Sequence, residues 1–417
     1  MRMSLVREKL EWSWSGVGFS WFGLGVVLAI IVSCTATQTP KNGSTTPDAA
    51  SICANAILIY GYQCQEYLIN TGDGYILSVQ RIPMGRSGGE GPRPPVLLQH
   101  GLLLDGRSWF YNKPEENLPM ILADKGYDVW ISNTRGTEYS RRHLYLDPKQ
   151  KGYWYWTWDH LAEYEVPAVI NFVYKTTGQK VHYIGHALGS LLCLASFAEG
   201  NMGIDRVKSA AFLSPTVYTN HITSPIISVA VKLGLAEMGA RIGLYEFDAD
   251  SQPVSRIVKL LCSQPTIVCG ELPTPLTGKN CCINKMAKQL FAKNGMEPTS
   301  IRNLKHLSQN VRHGTLEKYD YGTTEANMEH YGAKNPPLYD LSHIPRNLSV
   351  FISYGGADKM ADADDVKILV EELKPALDGD KLRVQYIPNY AHYDFVMGLT
   401  ANRDLYGNLT AFIDQNK

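Results

Sequence analysis

The chain has 417 residues, of which 44% are hydrophobic and 19% are charged, an ordinary composition for a globular protein. Its 40 Lys and Arg residues balance its 40 Asp and Glu residues, so no excess positive charge attracts polyphosphate, and nucleic acid is excluded as an expected partner. A chain of this length can bury a large core, either as one catalytic domain with an inserted subdomain or as two separate domains.

The N-terminus has the features of a targeting segment. Arg2, Arg7 and Lys9 precede an uncharged apolar run over residues 16–33, and small residues follow that run. This order predicts a cleaved signal peptide over residues 1–36, and therefore a protein of the secretory pathway that is secreted or vacuolar or lysosomal. Because the apolar run just reaches the length that spans a bilayer, an uncleaved signal anchor is the alternative.

A polar linker is predicted to follow the targeting segment. Residues 37–52 are rich in Pro, Ser and Thr and lack a hydrophobic pattern. Three Asn-x-Ser/Thr sequons, at Asn42, Asn347 and Asn408, are candidate glycosylation sites along the secretory route.

The chain contains eight cysteines, and in an oxidising compartment some of them should form disulfides. Cys262 and Cys269 close a short loop and are the best candidate pair. The adjacent Cys281 and Cys282 are expected to pair elsewhere. No CxxC spacing or nearby pair of His residues accompanies these cysteines, so we predict no metal site and no cofactor.

Strands and helices are predicted to alternate along most of the remaining chain. A hairpin over residues 65–82, with an Asp73-Gly74 turn, comes first, and a loop over residues 84–95 follows it. Candidate strands then occupy residues 96–100, 127–132, 181–186, 207–214, 348–354 and 382–388. Candidate helices occupy residues 117–125, 160–176 and 188–198. Short apolar strands separated by helices predict an α/β fold with a mainly parallel sheet covered on both faces.

The alternation stops after Pro215 and resumes near Leu348. In an α/β enzyme, an insertion after the carboxyl end of a strand lies over the crevice where ligands bind. We therefore predict a cap or lid over residues 216–345, inserted into a core made of residues 53–215 and 346–417. An independent helical domain is the alternative for the inserted segment.

The central motif is Gly185-His186-Ala187-Leu188-Gly189, which lies between a predicted strand and a predicted helix. This is the context of the nucleophile elbow Gly-x-Ser-x-Gly, in which the middle residue stands at the apex of a sharp turn and faces the crevice. Here the middle residue is Ala187, which offers a methyl group and no nucleophile.

Around this elbow the sequence resembles the acid lipases, a family of α/β-hydrolases that includes gastric, lysosomal and plant triacylglycerol lipases. The segments that carry the resemblance are HYIGHALGS at 182–190, HGLLLDGRSWF at 100–110, SNTRGTEYSRRH at 132–143, GYQCQEYLINTGDGYILSVQRIP at 61–83, LTGKNCCIN at 276–284 and YDYG at 319–322. The resemblance covers about residues 50–415, and several of these segments look closest to the plant members. The resemblance implies a central, mainly parallel sheet, helices on both faces and an inserted helical cap.

The resemblance also implies the other parts of a catalytic site. It assigns the acid to Asp358, which follows a predicted strand, and the base to His392, which follows the last predicted strand. The oxyanion hole would use the backbone N–H of Leu188, the residue after the elbow apex, and that of Leu102 in the HGLLL loop. Backbone donors do not depend on side-chain identity, so this hole should survive the loss of the serine.

Two other serines are weaker candidates for a nucleophile. Ser87 lies in a literal Gly-x-Ser-x-Gly match, but its surroundings predict a polar loop without strand or helix. Ser190 lies almost one helical turn beyond the apex, too far for His392 to activate it. The aromatic run over residues 153–158 is expected to pack in the core at the start of a helix, with a lipid-facing surface as the alternative.

Removal of a triad serine costs on the order of 10⁶ in turnover in subtilisin. The sequence therefore predicts a lipid-ester hydrolase by lineage that turns over little or nothing as written, and a non-enzymatic lipid-binding protein is the alternative. A laboratory Ser-to-Ala variant or a sequencing error would give the same sequence. The expected ligand is a lipid or an ester, and contact with a membrane or lipid-droplet surface is left open.

Overall fold

The computed structural model describes residues 51–89, 91–252, 254 and 273–417. The predicted signal segment 1–36, the sequon at Asn42 and the predicted Cys262–Cys269 pair lie outside the described residues. Ser51 and Ile52, which the sequence places at the end of the linker, are buried.

A nine-stranded sheet forms the centre of the described chain. Its strands are β1 (Gln65–Asn70), β2 (Tyr75–Ile82), β3 (Pro95–Gln99), β4 (Asp128–Ser132), β5 (Arg142–His143), β6 (Val181–His186), β7 (Val207–Leu213), β10 (Ser349–Gly355) and β11 (Leu382–Ile387); the short β8 (Glu246–Phe247) and β9 (Thr299–Ser300) form a separate antiparallel pair. The order is β1-β2-β4-β3-β6-β7-β10-β11, with β5 paired to β2. All pairs from β4 to β11 along this order are parallel, and the pairs that involve β2 are antiparallel.

Helices cover both faces of this sheet. In the described part of the chain, the helices of seven or more residues are α1 (Leu118–Asp124), α2 (Val166–Thr177), α3 (Leu188–Ala198), α4 (Pro225–Lys232), α5 (Leu235–Arg241), α6 (Lys285–Asn294), α7 (Ile301–His313), α8 (Thr324–Tyr331), α9 (Ala363–Ala376) and α10 (Gly407–Asp414). Side chains of α2, α3 and α9 belong to one hydrophobic cluster, and those of α1 and α10 belong to a second. Neighbouring residues of β3 divide between the two clusters, because successive strand side chains point to opposite faces. This confirms the predicted α/β architecture.

The chain between β7 and β10 contains α4 to α8 and the β8–β9 pair. Helices α4, α5 and α7 contact one another. Ser224 and Ser300 cap the first and last of these helices, because their hydroxyl oxygens accept first-turn N–H groups. Among the described residues, no helix is both long enough and apolar enough to cross a membrane.

The cysteines correct one expectation and add a bond that the sequence did not predict. Cys281 and Cys282, expected to pair elsewhere, are bonded to each other. Their Cα atoms, joined by one peptide unit, lie 3.7 Å apart, closer than in most disulfides. Cys53 and Cys64 form a second disulfide beside the first turn of the described chain. Cys193 is a free, buried thiol on α3.

A buried histidine in the central sheet should make stability depend on pH. Burial lowers the pKa of His182 to about 4, whereas an unfolded chain holds a histidine near pKa 6.5. The unfolded state therefore binds the proton first as the pH falls. The free energy of unfolding is highest above pH 6.5 and decreases by about 3 kcal/mol as the pH falls toward 4.

Between about pH 7 and pH 4.5, we expect the free energy of unfolding to fall less in His182→Gln than in the unmodified chain. Urea denaturation at each pH measures this free energy. The matched control is His343→Gln, because the side chain of His343 is 64% exposed. Equal pH dependence in the His182 variant and the unmodified chain would contradict the prediction.

Candidate active site

Ala187 stands at a sharp turn between β6 and α3. Its backbone has φ +50° and ψ −114°, a conformation that residues with a side chain rarely adopt. Its N–H donates to the carbonyl of Leu213 on the neighbouring strand at 3.0 Å. Its methyl group is buried and lines an internal cavity. The turn thus holds residue 187 in a strained position that faces the cavity.

The glycines on either side of this turn are required by close backbone contacts. A Cβ on Gly185 would lie 2.6 Å from the carbonyl carbon of Gly189, and a Cβ on Gly189 would lie 2.6 Å from the carbonyl oxygen of Gln99. Backbone atoms cannot move aside as a flexible side chain can. The spacing of the two glycines is therefore a steric condition for bringing β6, α3 and the end of β3 together.

An acid and a base lie next to each other at the carboxyl ends of β10 and β11. Nδ1 of His392 is 3.0 Å from Oδ2 and 3.2 Å from Oδ1 of Asp358, and both side chains are buried. Asp358 Oδ1 also accepts the N–H groups of Met360 and Ala361. These bonds fix the carboxylate, which in turn orients the imidazole.

The imidazole of His392 lies beside the elbow. Its ring centroid lies 4.9 Å from that of His186, and Nε2 of His186 donates to the His392 carbonyl at 3.0 Å. His392 and Ala187 line the same cavity. Within the described part of the chain, the side-chain hydrogen bonds of His392 all use Nδ1. The structure therefore brings the three predicted residues together.

Ser214 is a member of this site that the sequence reasoning missed. Its hydroxyl donates to Asp358 Oδ2 and lies 2.8 Å from Nδ1 of His392, so it bridges the acid and the base. It follows β7 directly and has a φ of +50°, and its N–H donates to the carbonyl of Ser353. The side chain is completely buried, and it contacts Nδ1, the same ring nitrogen that Asp358 contacts. It is a positioning group and not a substitute nucleophile.

The loop after β3 packs directly against the elbow. A Cβ on Gly101 would lie 3.1 Å from the Cβ of Ala187. Leu102 and Leu188, the two predicted sources of oxyanion-hole N–H groups, both line the cavity beside Ala187. Leu188 is the first residue of α3, so its N–H has no acceptor within the helix.

A buried histidine holds this loop in place. Nε2 of His100 accepts the Thr134 N–H at 3.0 Å, and Nδ1 lies 2.8 Å from the Gly101 carbonyl. Burial lowers the pKa of His100 to about 4, so its ring is neutral and can accept at one nitrogen and donate at the other. The loop position therefore depends on a fixed imidazole tautomer.

A segment from the chain between β7 and β10 contacts both the acid loop and the base loop. The carbonyl of Thr277 accepts the N–H groups of Lys359 and His392, each at 3.3 Å. The side-chain oxygen of Asn280 accepts the N–H of Tyr393 at 3.0 Å. The segment that contains Thr277 and Asn280 therefore binds both the loop of Asp358 and the loop of His392.

The disulfide-bonded pair Cys281 and Cys282 lies in the same segment. Their N–H groups each donate to the carboxylate of Asp394 at 3.0 Å, and that carboxylate also accepts the Ala391 N–H. Burial raises the pKa of Asp394, and the three N–H donors oppose that rise. The carboxylate of Asp394 therefore accepts backbone N–H groups and links the base loop to the disulfide-bonded segment.

An apolar cavity of about 270 Å³ opens at the elbow. Its walls combine core residues with residues from α4, α5 and α7. Aliphatic residues far from the elbow sequence include Ile226, Ala230, Leu244, Ile301, Leu304 and Val311. No Lys, Arg, Asp or Glu lines the described walls. The volume is near the lower end of the range for small-molecule sites.

The other residues that the sequence offered as candidates do not line the cavity. Ser87 is exposed in the loop before β3, and no strand or helix begins or ends at it. Ser190 donates its hydroxyl to the Gly185 carbonyl at 2.9 Å and does not line the cavity. In the aromatic run, Tyr153, Trp154, Trp156 and Trp158 are buried and only Tyr155 is exposed among the aromatic side chains. The run therefore packs in the core, as expected.

Comparisons with known proteins agree with this architecture. Residues 53–113 match the model of a partial alpha/beta-hydrolase lipase region, and residues 94–247 match the model of the alpha/beta hydrolase fold. Among solved structures, a thermostable carboxyl esterase from Bacillus coagulans superposes with a TM-score of 0.55 at 13% identity, over 84% of this chain and 98% of that one. At this low identity, the likeness concerns the fold alone.

Curated relatives are much closer in sequence. The chain is 47% identical to Triacylglycerol lipase 2 of Arabidopsis thaliana over 87% of this chain and 88% of that protein. It is 33% identical to the gastric triacylglycerol lipase of Homo sapiens over 94% of this chain and 99% of that protein. The chain therefore belongs to the acid lipase family of α/β-hydrolases, together with plant triacylglycerol lipases and gastric lipases.

Proposed function

We propose that this protein is a lipase-family member that binds a lipid or ester in the cavity at the elbow and hydrolyses it slowly or not at all. The observation that carries the proposal is the methyl group of Ala187 at the apex of an elbow whose acid, base and loop are otherwise complete. In this proposal, Ala187 occupies the position of a nucleophilic serine, with Asp358 as the acid and His392 as the base.

The chemistry that is lost can be stated step by step. In a serine hydrolase, the hydroxyl attacks the ester carbonyl while histidine takes its proton, and the buried aspartate stabilises the imidazolium that forms. A methyl group has neither a lone pair to attack with nor a proton to transfer. No covalent acyl intermediate can form at residue 187, and only binding and oxyanion stabilisation by the backbone remain.

The parts that would bind a ligand do not depend on the serine. The N–H groups assigned to the oxyanion hole, at Leu102 and Leu188, belong to the backbone and adjoin the apolar cavity. We further propose that residues 216–345 act as a cap, because this segment, which contains α4, α5 and α7, supplies most of the described cavity wall. Cavity walls of this composition exclude water and favour an aliphatic chain.

The remaining features extend the proposal to a secretory protein. The signal peptide, or signal anchor, would direct the chain into an oxidising compartment, and the Cys53–Cys64 and Cys281–Cys282 bonds are compatible with one. The side chains of Asn347 and Asn408 are exposed, as glycan acceptors must be. We also propose contact with a membrane or a lipid-droplet surface, because the proposed ligand is a lipid.

An esterase assay combined with lipid analysis tests the proposal. We expect the purified mature chain to hydrolyse p-nitrophenyl esters no faster than a heat-killed control, and mass spectrometry of the native protein to detect bound lipid. Turnover that is abolished by mutating His392 would mean that another nucleophile operates. Absence of both bound and bindable lipid would contradict the binding role.

A further inference from the structure

Building on the proposed lipid-binding role, we propose that the preferred ligand is a free aliphatic carboxylic acid, with its head group between Leu188 N–H and His392 Nε2 and its chain in the cavity. The ligand class would thus be the acid and not the ester. Three features of the site lead to this inference: the shape of the cavity, the polar groups at its elbow end, and the missing oxygen of residue 187.

The cavity fits one aliphatic chain. An engineered protein cavity of about 150 Å³ holds a benzene molecule, and the cavity here measures about 270 Å³. Its described walls carry no charged side chain of the Lys, Arg, Asp or Glu type. A ligand with charge along its length would lose hydration without meeting an opposite charge, so a charged group must be confined to the elbow end.

The elbow end offers one donor that is fixed and one that can exchange a proton. The N–H of Leu188 begins helix α3, where the helix dipole also favours negative charge. His392 is 2% exposed and lines the cavity, and its bonds to Asp358 and Ser214 both use Nδ1. Nε2 is therefore the ring nitrogen available to a ligand.

The alanine opens the space between this nitrogen and a ligand. In a serine hydrolase, the nucleophile hydroxyl lies between the imidazole and the carbonyl carbon of the substrate. At Ala187 that oxygen is absent, so one oxygen of a carboxyl group can take its place beside Nε2. The other oxygen can accept from Leu188 N–H.

A carboxylic acid brings one proton that an ester lacks. Whether that proton lies on the ligand oxygen or on Nε2, it forms one hydrogen bond between the acid and His392, and Asp358 balances the charge of an imidazolium. An ester with the same chain can accept from Leu188 N–H, but it has no proton to give to Nε2. The acid should therefore bind more tightly by one charge-assisted hydrogen bond, about 10- to 100-fold in affinity.

Burial holds two other titratable groups on the cavity wall in their neutral forms. Burial holds the pKa of His186 well below its ordinary value, and its Nε2 donates to the His392 carbonyl, while its Nδ1 has no partner among the described residues. Burial raises the pKa of Tyr393, so this phenol stays neutral. Among the described residues that line the cavity, His392 is the titratable group whose side chain contacts a carboxylate, that of Asp358.

Competition between matched ligands tests the inference. Displacement of a fluorescent fatty acid from the full mature chain should require about 10-fold or more less dodecanoic acid than methyl dodecanoate. In Ala187→Ser, the restored hydroxyl should reduce the preference for dodecanoic acid. For this variant, dodecyl methyl ether is the comparison ligand in place of the ester, because the ether cannot be hydrolysed. Carboxyl-labelled dodecanoic acid should also show a shifted carbon resonance in the unmodified protein that His392→Leu returns toward its solvent value.

The outcomes separate this inference from the proposed function. Equal affinity for acid and ester would overturn the inference and leave the lipid-binding role intact. Failure of either ligand to bind would overturn the proposed function itself. If His392→Leu does not fold, the Ala187→Ser comparison and the carbon resonance in the unmodified protein still test the inference. An unshifted resonance of bound acid would refute the head-group position.

Discussion

Ala187→Ser should convert an inert or nearly inert chain into an ester hydrolase, with a rise in turnover on the order of 10⁶-fold. The expected gain is large because the substitution adds one oxygen to a site whose other parts are in place. The backbone at residue 187 already has the strained φ of +50°, and Nδ1 of His392 is already bonded to Asp358. The oxygen would stand at the elbow apex, within the cavity that His392 also lines.

Hydrolysis of p-nitrophenyl dodecanoate measures this gain, and two control variants define its origin. Ala187→Gly removes the methyl group and accepts the positive φ without strain, so it should stay inactive. Ala187→Ser combined with His392→Ala should lose the acquired activity, because no base remains to take the serine proton. A folded Ala187→Ser variant without activity would show that residue 187 does not stand at a reacting position.

Replacement of Arg135 by Met should destabilise the fold by about 3–5 kcal/mol, the usual effect of removing one partner from a buried ion pair. Arg135 is fully buried in the segment that follows β4. Its guanidinium contacts the carboxylates of Glu165 and Asp73 and lies 3.7 Å from the ring centroid of Tyr75. Burial would raise the pKa of Asp73, but Arg135 outweighs burial and holds that pKa below its ordinary value.

The large cost arises from the partners left behind. Without Arg135, Glu165 remains buried with its carboxylate unpaired, and either its charge or a forced protonation raises the free energy of the folded state. Urea denaturation at neutral pH measures the difference. The control is Arg346→Met, which breaks the exposed pair with Asp378 and should cost far less because both side chains stay hydrated. Similar losses in the two variants would contradict the buried-pair explanation.

The sequence was sufficient for the fold because each strand and helix leaves a local pattern. Short apolar runs alternate with helical stretches, and the structure has strands at Pro95–Gln99, Asp128–Ser132 and Val181–His186 where the pattern predicts them. The Gly-x-x-x-Gly spacing also predicted the sharp turn at Ala187, since only glycine leaves room for the crossing backbones.

The sequence also named candidate positions for the acid, the base and the oxyanion loop, but only through the resemblance to acid lipases. Nothing in the local pattern around Asp358 or His392 distinguishes them from a turn aspartate or a loop histidine. Only the structure shows that the carboxyl ends of β10 and β11 bring these two side chains to 3.0 Å from each other.

Only the tertiary structure revealed the groups that hold this site in place. Ser214 is the last residue of a predicted strand and was not named as a site residue, yet its hydroxyl bridges Asp358 and His392. The carbonyl of Thr277 joins the acid and base loops, and Cys281 bonds to its own neighbour instead of a distant cysteine. The physical reason is that hydrogen bonds and ion pairs between residues far apart in the chain depend on how strands and loops pack, whereas periodicity and turn spacing are local. The sequence thus determined the sheet, the elbow and the missing hydroxyl, and packing alone decided what surrounds that methyl group.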